Sequence, residues 1–284
     1  MTAPSDGGFP AFTSEVPTPA RMYDYCLGGK DNFEVDRAAV QAAMIHFPMG
    51  VDEARNNRLF LYRLVRFLAR DAGIDQFLDL GSGLPTQNNV HQVAQQIRPA
   101  AKVVYVDNDP IVLSHGRALL AKDRSTTVIA ADLTKPELIL DHPQTHQLLD
   151  LTRPLAVLLL SVGHSIEDDA TLQDLFAALR KAVVPGSYLA FTQMCAADAS
   201  TVDASKQVAQ ESNYTFRVRL ATEVATLFDG LEVVEPGLVN VARWRPDPTQ
   251  PPLPQVDEPL RPYIGASKYY PGTHGEFGGV ARKP

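Results

Sequence analysis

A glycine-rich turn after an apolar run is the part of this sequence best suited to chemistry. Residues 77–86 read FLDLGSGLPT, so the acid Asp79 precedes Gly81 and Gly83. Glycine lets a ligand approach the backbone closely because there is no Cβ in the way. Dinucleotide-binding folds have a third glycine where this chain has Thr86. Because a carboxylate repels a pyrophosphate and attracts an ammonium group, the turn favours a nucleoside that carries an amino acid.

Two further acids come at or just after the ends of apolar runs typical of buried strands. Asp107 ends the run at 102–107, and Asp132 follows the run at 126–130. Asp107 can accept hydrogen bonds from the vicinal hydroxyls of a ribose. Asp132 can accept a hydrogen bond from the exocyclic amine of adenine. One such acid is more often a helix cap than a ligand contact. Three acids at the ends of successive strands indicate a nucleoside site.

Short apolar runs that alternate with helical periods predict successive βα units around a parallel sheet, which positions these acids. The predicted strands are 76–80, 102–107, 126–130, 154–160, 187–193, 231–242 and 277–282. The predicted helices are 86–98, 110–121, 134–140, 168–182, 200–211 and 221–228. Ligands bind at the carboxyl edge of such sheets, so the three acids are expected to share one cleft.

Composition and helical patterns before the first strand predict a flexible leader at 1–16 and a helical N-terminal layer at 17–73. The layer comprises a short helix from 18, a second helix opening near Asp31 and an amphipathic helix at 52–72. A polar and aromatic cluster marks its first turn: Tyr23, Tyr25, Gly28, Gly29, Lys30 and Asn32. This cluster either closes over the ligand, with Tyr23 stacking or hydrogen-bonding, or packs on the sheet edge. Five arginines on the long helix favour a solvated face: Arg55, Arg58, Arg63, Arg66 and Arg70.

The rest of the chain, 74–284, is predicted to be the ligand-binding core, with a Pro-rich insertion at 246–275. Seven prolines between 246 and 262 exclude an interior strand or helix there. The insertion leaves from the carboxyl edge of the sheet, so it is either a lid over the site or a surface loop without a role. Its lid-lining candidates are Tyr263, Tyr269, Tyr270 and His274.

The charge balance and the absence of targeting signals narrow the partners and the compartment. There are 26 Lys+Arg and 33 Asp+Glu residues, giving a net charge of -7, which disfavours nucleic acid. No apolar run approaches a membrane span, and the first residues do not resemble a secretion signal, so a cytoplasmic protein without a membrane partner is expected. Cys26 and Cys195 are predicted to be buried thiols. No metal site is expected, since His142 and His146 have no third ligand close in sequence.

Several motifs together resemble a known family. The Asp-x-Gly-x-Gly turn, Asp107 and Asp132 resemble the motifs of class I S-adenosylmethionine-dependent methyltransferases. The segments PARMYDYCLGGKDNF, FLDLGSGLPT, VVYVDNDP, DGLEVVEPGLV and GGVARKP, with the Arg55–Arg58 region, resemble a bacterial S-adenosyl methyltransferase family whose acceptors are largely undefined. The resemblance runs from Pro17 to Pro284. It implies an α/β, Rossmann-like doubly wound seven-stranded sheet with one antiparallel strand, and S-adenosyl-L-methionine as cofactor.

The resemblance also implies roles for individual residues around that cofactor. Asp79, Gly81 and Gly83 would hold the methionine part, and Asp107 and Asn108 the ribose and adenine. Asp132 and Leu133 would contact the adenine amine. Thr86 would either bond the methionine carboxylate or cap the next helix.

On the acceptor side, the chain departs from the more apolar family pattern at residues 161–165, which read SVGHS. His164 follows the fourth strand and is the candidate general base, although a lone histidine is more often structural. Ser161 is a candidate backbone contact to the cofactor. The acceptor pocket is therefore expected to differ from that of relatives.

The predicted function is methyl transfer from S-adenosylmethionine to an unidentified small-molecule acceptor. One alternative is a non-catalytic S-adenosylmethionine-binding module that regulates a partner. Another is an NAD-dependent oxidoreductase, which the missing third glycine and Asp79 disfavour. The sequence leaves the oligomeric state open.

Overall fold

A computed structural model describes residues 15–120, 124–211, 216–269 and 274–284. The leader predicted at 1–16 lies outside these residues except for its last two. None of the helices in the described ranges is both long and apolar enough to cross a membrane.

In the described residues, nine strands form one sheet at the centre of the protein. They are β1 (Gln76–Leu80), β2 (Lys102–Asp107), β3 (Thr126–Ala130), β4 (Ala156–Leu159), β5 (Tyr188–Ala196), β6 (Arg219–Leu220), β7 (Glu232–Val233), β8 (Val239–Asn240) and β9 (His274–Arg282). Seven follow the order β3-β2-β1-β4-β5-β9-β7, while β6 pairs with β5 and β8 with β9. Strand β9 runs antiparallel to each of its neighbours, whereas β1 to β6 pair in parallel. The predicted seven-stranded path with one antiparallel strand is confirmed, and β6 and β8 are short additions to it.

Helices cover both faces of this sheet, which is why its central strands are apolar on both sides. They are α1 (Pro19–Cys26), α2 (Glu34–His46), α3 (Gly50–Arg70), α4 (Val90–Ile97), α5 (Pro110–Leu120), α6 (Pro136–Leu140), α7 (Pro143–Leu148), α8 (Asp169–Ala182), α9 (Ala199–Glu211) and α10 (Ala221–Ala225). On one face, Phe60 and Leu64 of α3 pack with Phe77 of β1. On the other, Leu175 of α8 packs with Val157 of β4.

The helical N-terminal layer is held together by buried acids. Asp36 of α2 forms a buried ion pair with Arg21 of α1 at 3.0 Å and accepts from the backbone N of Phe33 at 2.8 Å. Asp24 accepts from the side chain of Asn32 at 2.8 Å across the α1–α2 turn. Part of the polar cluster predicted from the sequence therefore serves this turn.

Two predicted elements differ from the structure for local reasons. The strand predicted at 231–242 is divided into β7 and β8, because Pro236 has no N–H to donate and Gly237 turns the chain with φ +92. The helix predicted from 86 begins at Val90. Asn88 has φ +60, and the backbone N of Asn89 donates to the side chain of Gln92 at 2.9 Å, so the glycine turn continues into a longer loop.

The prediction of a solvated arginine face on α3 is wrong for Arg58 and Arg63, which are both buried. The loop after β1 covers Arg58, and the C-terminal part of the chain covers Arg63. Arg63 donates to the carbonyls of Trp244 at 2.9 Å and Val241 at 2.6 Å. The ring of Trp244 is fully buried and meets Phe60 edge-on at 5.2 Å between centroids.

The Pro-rich insertion packs on the helical layer. Asp52 of α3 accepts from the backbone N of Gly265 at 2.8 Å and of Ser267 at 2.9 Å. Arg55 donates to the carbonyl of Pro254 at 2.9 Å, and Leu260 is buried in a cluster with residues of α1 and α2. Of the predicted lid residues, Tyr263 packs partly against this cluster, Tyr269 is exposed, Tyr270 lies outside the described residues, and the ring of His274 lies 5.1 Å from that of Phe47.

Candidate functional site

The glycine turn leaves its second glycine open to a ligand. Gly81 has φ +74 and Gly83 has φ +65, a conformation that favours glycine. A Cβ at Gly81 would overlap the side chain of Val162, whereas a Cβ at Gly83 would meet nothing within 4 Å. The two glycines therefore have different roles: Gly81 allows tight packing against the segment after β4, and Gly83 presents bare backbone.

Asp79 is a buried carboxyl beside a buried guanidinium. It lies in β1, and burial raises its pKa to about 7, while the charge of Arg58 pulls that pKa down and Asp107 pushes it up. A cationic ligand at this place would stabilise the ionised carboxylate.

Asp107 is oriented by the backbone at the end of β2. One carboxylate oxygen accepts from the N of Gly83 at 2.9 Å and the other from the N of Asp109 at 2.9 Å. Burial raises its pKa, and these bonds oppose that shift. Each carboxylate oxygen has a second acceptor site, so the group is fixed in place and still able to bind hydroxyls. Asn108 beside it is exposed.

Two buried polar atoms near the glycine turn have no hydrogen-bond partner among the described residues: Thr86 Oγ1 and Arg58 Nε. Thr86 does not cap α4, since its backbone N donates to Asn89 at 3.0 Å and the helix begins after that residue. Arg58 donates from Nη2 to the carbonyl of Gln87 at 2.7 Å and to Asn89 Oδ1 at 3.0 Å. A hydroxyl and a guanidinium N–H near the glycine turn are thus left without a partner in the described residues, and such donors can bind a carboxylate.

Arg58 is a candidate functional residue that the sequence analysis missed. It lies three and seven residues before Leu61 and Val65, which are both buried, so it falls on the apolar stripe of α3. The helical period was the signal that could have separated it from the exposed arginines.

Asp132 and Leu133 follow β3 at the same edge of the sheet. Asp132 Oδ1 accepts from the backbone N of Thr134 at 2.9 Å and from its hydroxyl at 2.7 Å. Leu133 is partly buried against the apolar cluster on the sheet face that α8 covers. Its side chain lies 3.5 Å from where a Cβ added to Gly81 would be. The structure therefore brings this pair next to the glycine turn, with one carboxylate oxygen already used locally.

Ser161 and His164 occupy the segment after β4. Ser161 has φ +59, and its backbone N donates to the Thr192 hydroxyl at 2.7 Å. The His164 ring packs on Phe216 with 4.6 Å between centroids, and its Nδ1 has no hydrogen-bond partner in the described part of the chain. Burial and the charge of Arg219 lower its pKa to about 4, so the imidazole is neutral at physiological pH.

Tyr23 begins a chain of buried polar groups that crosses the site from the helical layer. Its hydroxyl donates to the carbonyl of Ala54 at 2.9 Å and accepts from Asn57 at 2.9 Å. Asn57 in turn accepts from the Thr192 hydroxyl at 2.9 Å. Burial raises the pKa of Tyr23, so it remains a neutral phenol. The hydroxyl is thus engaged within the protein, and a contact to the cofactor stays a prediction.

The strand order, the Asp-x-Gly-x-Gly turn and the strand-end acids define a class I S-adenosylmethionine-dependent methyltransferase. The model of the S-adenosyl methyltransferase family matches residues 9–284, and the chain belongs to this family. S-Adenosylmethionine is accordingly its cofactor. In the described ranges, there is no group of three His, Cys, Asp or Glu residues that could hold a metal ion.

Two solved structures are similar over nearly their whole length. A candidate methyltransferase from Thermobifida fusca YX is 43% identical with a TM-score of 0.80, over 95% of this chain and 96% of the other. A DUF574 family protein from Streptomyces avermitilis MA-4680 is 37% identical with a TM-score of 0.82, over 95% and 99%. A geranyl diphosphate methyltransferase shares the fold at 14% identity and a TM-score of 0.53, over 87% and 91%. None of the curated proteins compared with the chain matches it.

Proposed function

We propose that this protein transfers a methyl group from S-adenosylmethionine to a small-molecule acceptor held between the glycine turn and the helical layer. When bound, the cofactor supplies an electrophilic methyl group. The observation that carries the proposal is the pair of unpartnered buried atoms, Arg58 Nε and Thr86 Oγ1, together with the buried carboxyl of Asp79, which the charge of Arg58 influences. Together they match the carboxylate and the ammonium group of an amino acid.

The proposed cofactor contacts follow from this placement. Asp79 accepts from the ammonium group, while Arg58 and Thr86 donate to the carboxylate. Asp107 and Asn108 bind the ribose and adenine, and Asp132 and Leu133 contact the adenine amine. The bare backbone of Gly83 allows the close approach, Gly81 keeps the turn against Val162, Ser161 provides a backbone contact, and Tyr23 closes the site from above.

Where the acceptor group is a hydroxyl, His164 is proposed as the general base that takes its proton. A protonated ether oxygen is so acidic that even an imidazole with a pKa of about 4 can take its proton. The ring is neutral, and Nδ1 has no partner among the described residues, which leaves a lone pair or an N–H free for this role.

The choice of a small acceptor over nucleic acid is supported by the net charge of -7 and by the insertion that packs on the helical layer. We also infer that the protein works in the cytoplasm. Its two cysteines, Cys26 and Cys195, are free and buried, as in proteins of reducing compartments.

Calorimetric titration with S-adenosylmethionine, S-adenosylhomocysteine and NAD in parallel tests the cofactor site. We expect the first two to bind and NAD not to bind. Arg58→Ala should weaken both by tenfold or more, as expected for hydrogen bonds to a charged group. Arg70→Ala, which changes an exposed arginine of the same helix, is the matched control. Equal affinities in both variants would remove Arg58 from the site.

A further inference from the structure

Two buried glutamates meet where α3 crosses the end of β9. Glu276 and Glu53 have only 2% and 4% of their surface exposed, and the backbone N of Glu276 donates to Glu53 Oε2 at 2.7 Å. Neither carboxyl takes part in an ion pair formed by the described residues. This pair plays no part in the cofactor contacts proposed above.

The carboxyl of Glu276 lies beside the segment that follows β4. The side chains of Ser161 and Thr192 lie close to it, and Val162, the residue after Ser161, packs against Gly81 of the glycine turn. Oε1 of Glu276 is nonetheless buried without a hydrogen-bond partner among the described residues. Ser161 and Val162 thus connect the glycine turn to Glu276, which carries an unpartnered acceptor atom.

Among the residues that the structure describes, the charged groups that interact with Glu276 provide no positive charge. Glu53 of α3, Tyr23 of α1 and Cys195 of β5 interact electrostatically with Glu276, and all three are acidic groups. Burial and this neighbouring acid raise the pKa of Glu276 to about 8, and burial raises the pKa of Glu53 to about 7. A buried carboxylate is stable only when it is protonated or paired with a cation.

We propose that Glu276 is the acceptor-binding anion and that the acceptor is an amine, which enters as an ammonium ion and pairs with Oε1. This inference rests on the proposed function. The ammonium N–H bond breaks, the proton forms an O–H bond at Oε1, and the electron pair remains on nitrogen. That pair forms the new N–CH₃ bond while the S–CH₃ bond of the donor breaks and sulfur keeps its electrons. An amine therefore needs no proton transfer to His164.

Sinefungin is a suitable probe, because it is an S-adenosylmethionine analogue with an amine carried at the position of the transferred methyl. Its affinity is compared by calorimetry with those of S-adenosylhomocysteine and S-adenosylmethionine. We expect the wild-type protein at pH 8 to bind sinefungin at least tenfold more tightly than S-adenosylhomocysteine. Glu276→Gln should abolish this preference while retaining the affinity for S-adenosylhomocysteine. Glu232→Gln, an exposed glutamate of the same sheet, should keep the preference.

A second variant separates an electrostatic role from a structural one. Glu53→Gln removes the like charge beside Glu276, so the sinefungin preference should persist and extend to lower pH. Two results would overturn the amine assignment. In the first, Glu276→Gln keeps the preference for sinefungin over S-adenosylhomocysteine. In the second, it lowers the preferences for sinefungin and for S-adenosylmethionine over S-adenosylhomocysteine by the same factor. The second of these results would place the charge on the donor sulfonium. If no analogue binds at all, the proposed function itself fails.

Discussion

Asp107 is fixed before any ligand arrives, because two backbone N–H groups already bind its carboxylate. We expect Asp107→Ala to weaken S-adenosylmethionine binding by about 1.5–3 kcal/mol, the range for hydrogen bonds to a charged group. Isothermal titration calorimetry measures this directly. Asp150→Ala, at an exposed turn away from the carboxyl edge, should bind like the wild type. An unchanged affinity in Asp107→Ala would exclude Asp107 from ribose binding.

His164 offers a separate test, because it lies in the segment after β4 and not in the glycine turn. With a hydroxyl acceptor, His164→Ala should slow methyl transfer and leave the affinity for S-adenosylmethionine unchanged. Turnover can be followed with labelled methyl donor and a small-molecule extract. A parallel loss of cofactor affinity would show that the contact with Phe216 makes His164 a packing residue.

Among the elements, the insertion depends on α3 for its position. Asp52 accepts two backbone N–H bonds from it, so Asp52→Ala leaves both donors unpaired. We expect a loss of about 1–3 kcal/mol in unfolding free energy and faster proteolytic cleavage within residues 246–275. Urea denaturation and limited proteolysis measure the two effects. Asp257→Ala, an exposed acid of the insertion itself whose side chain forms no cap bond, should leave the cleavage rate unchanged if the contact to α3 is what matters.

The sequence predicted the sheet and the acids at its carboxyl edge because both follow from local pattern. Apolar runs fix the strands, and Asp79, Asp107 and Asp132 lie at or just after the ends of theirs. Glu53 and Glu276 escaped notice because the bond between them joins positions 223 residues apart. No local period could reveal that α3 would lie over β9, or that the carbonyls of Val241 and Trp244 would bind Arg63.

For the molecule as a whole, Glu276 makes stability depend on pH. A folded pKa of about 8 lies above the unfolded value of about 4.3, so the folded state retains a proton that the unfolded chain has lost. Unfolding free energy should therefore fall as pH rises through this window. His164 has the opposite effect on stability, because its folded pKa is lowered to about 4. The stabilisation that its neutral ring contributes is lost as pH falls below the unfolded value of about 6.5.

Urea denaturation at pH 5 and pH 8 isolates the part due to Glu276. Relative to the wild type, Glu276→Gln should gain on the order of 1–3 kcal/mol between these two pH values. Glu232→Gln should follow the wild-type profile. Parallel profiles for Glu276→Gln and the wild type would mean that Glu276 is ionised in the folded protein, with a counter-charge close by.

Trp244 is the only tryptophan of the chain, and it is buried under α3 immediately before the insertion begins. A tryptophan in such surroundings fluoresces at shorter wavelength than one in water. Its emission therefore comes from a single known place, the junction of the insertion with the long helix. Any ligand or variant that loosens this junction should shift the emission to the red, so the intact protein contains its own optical reporter.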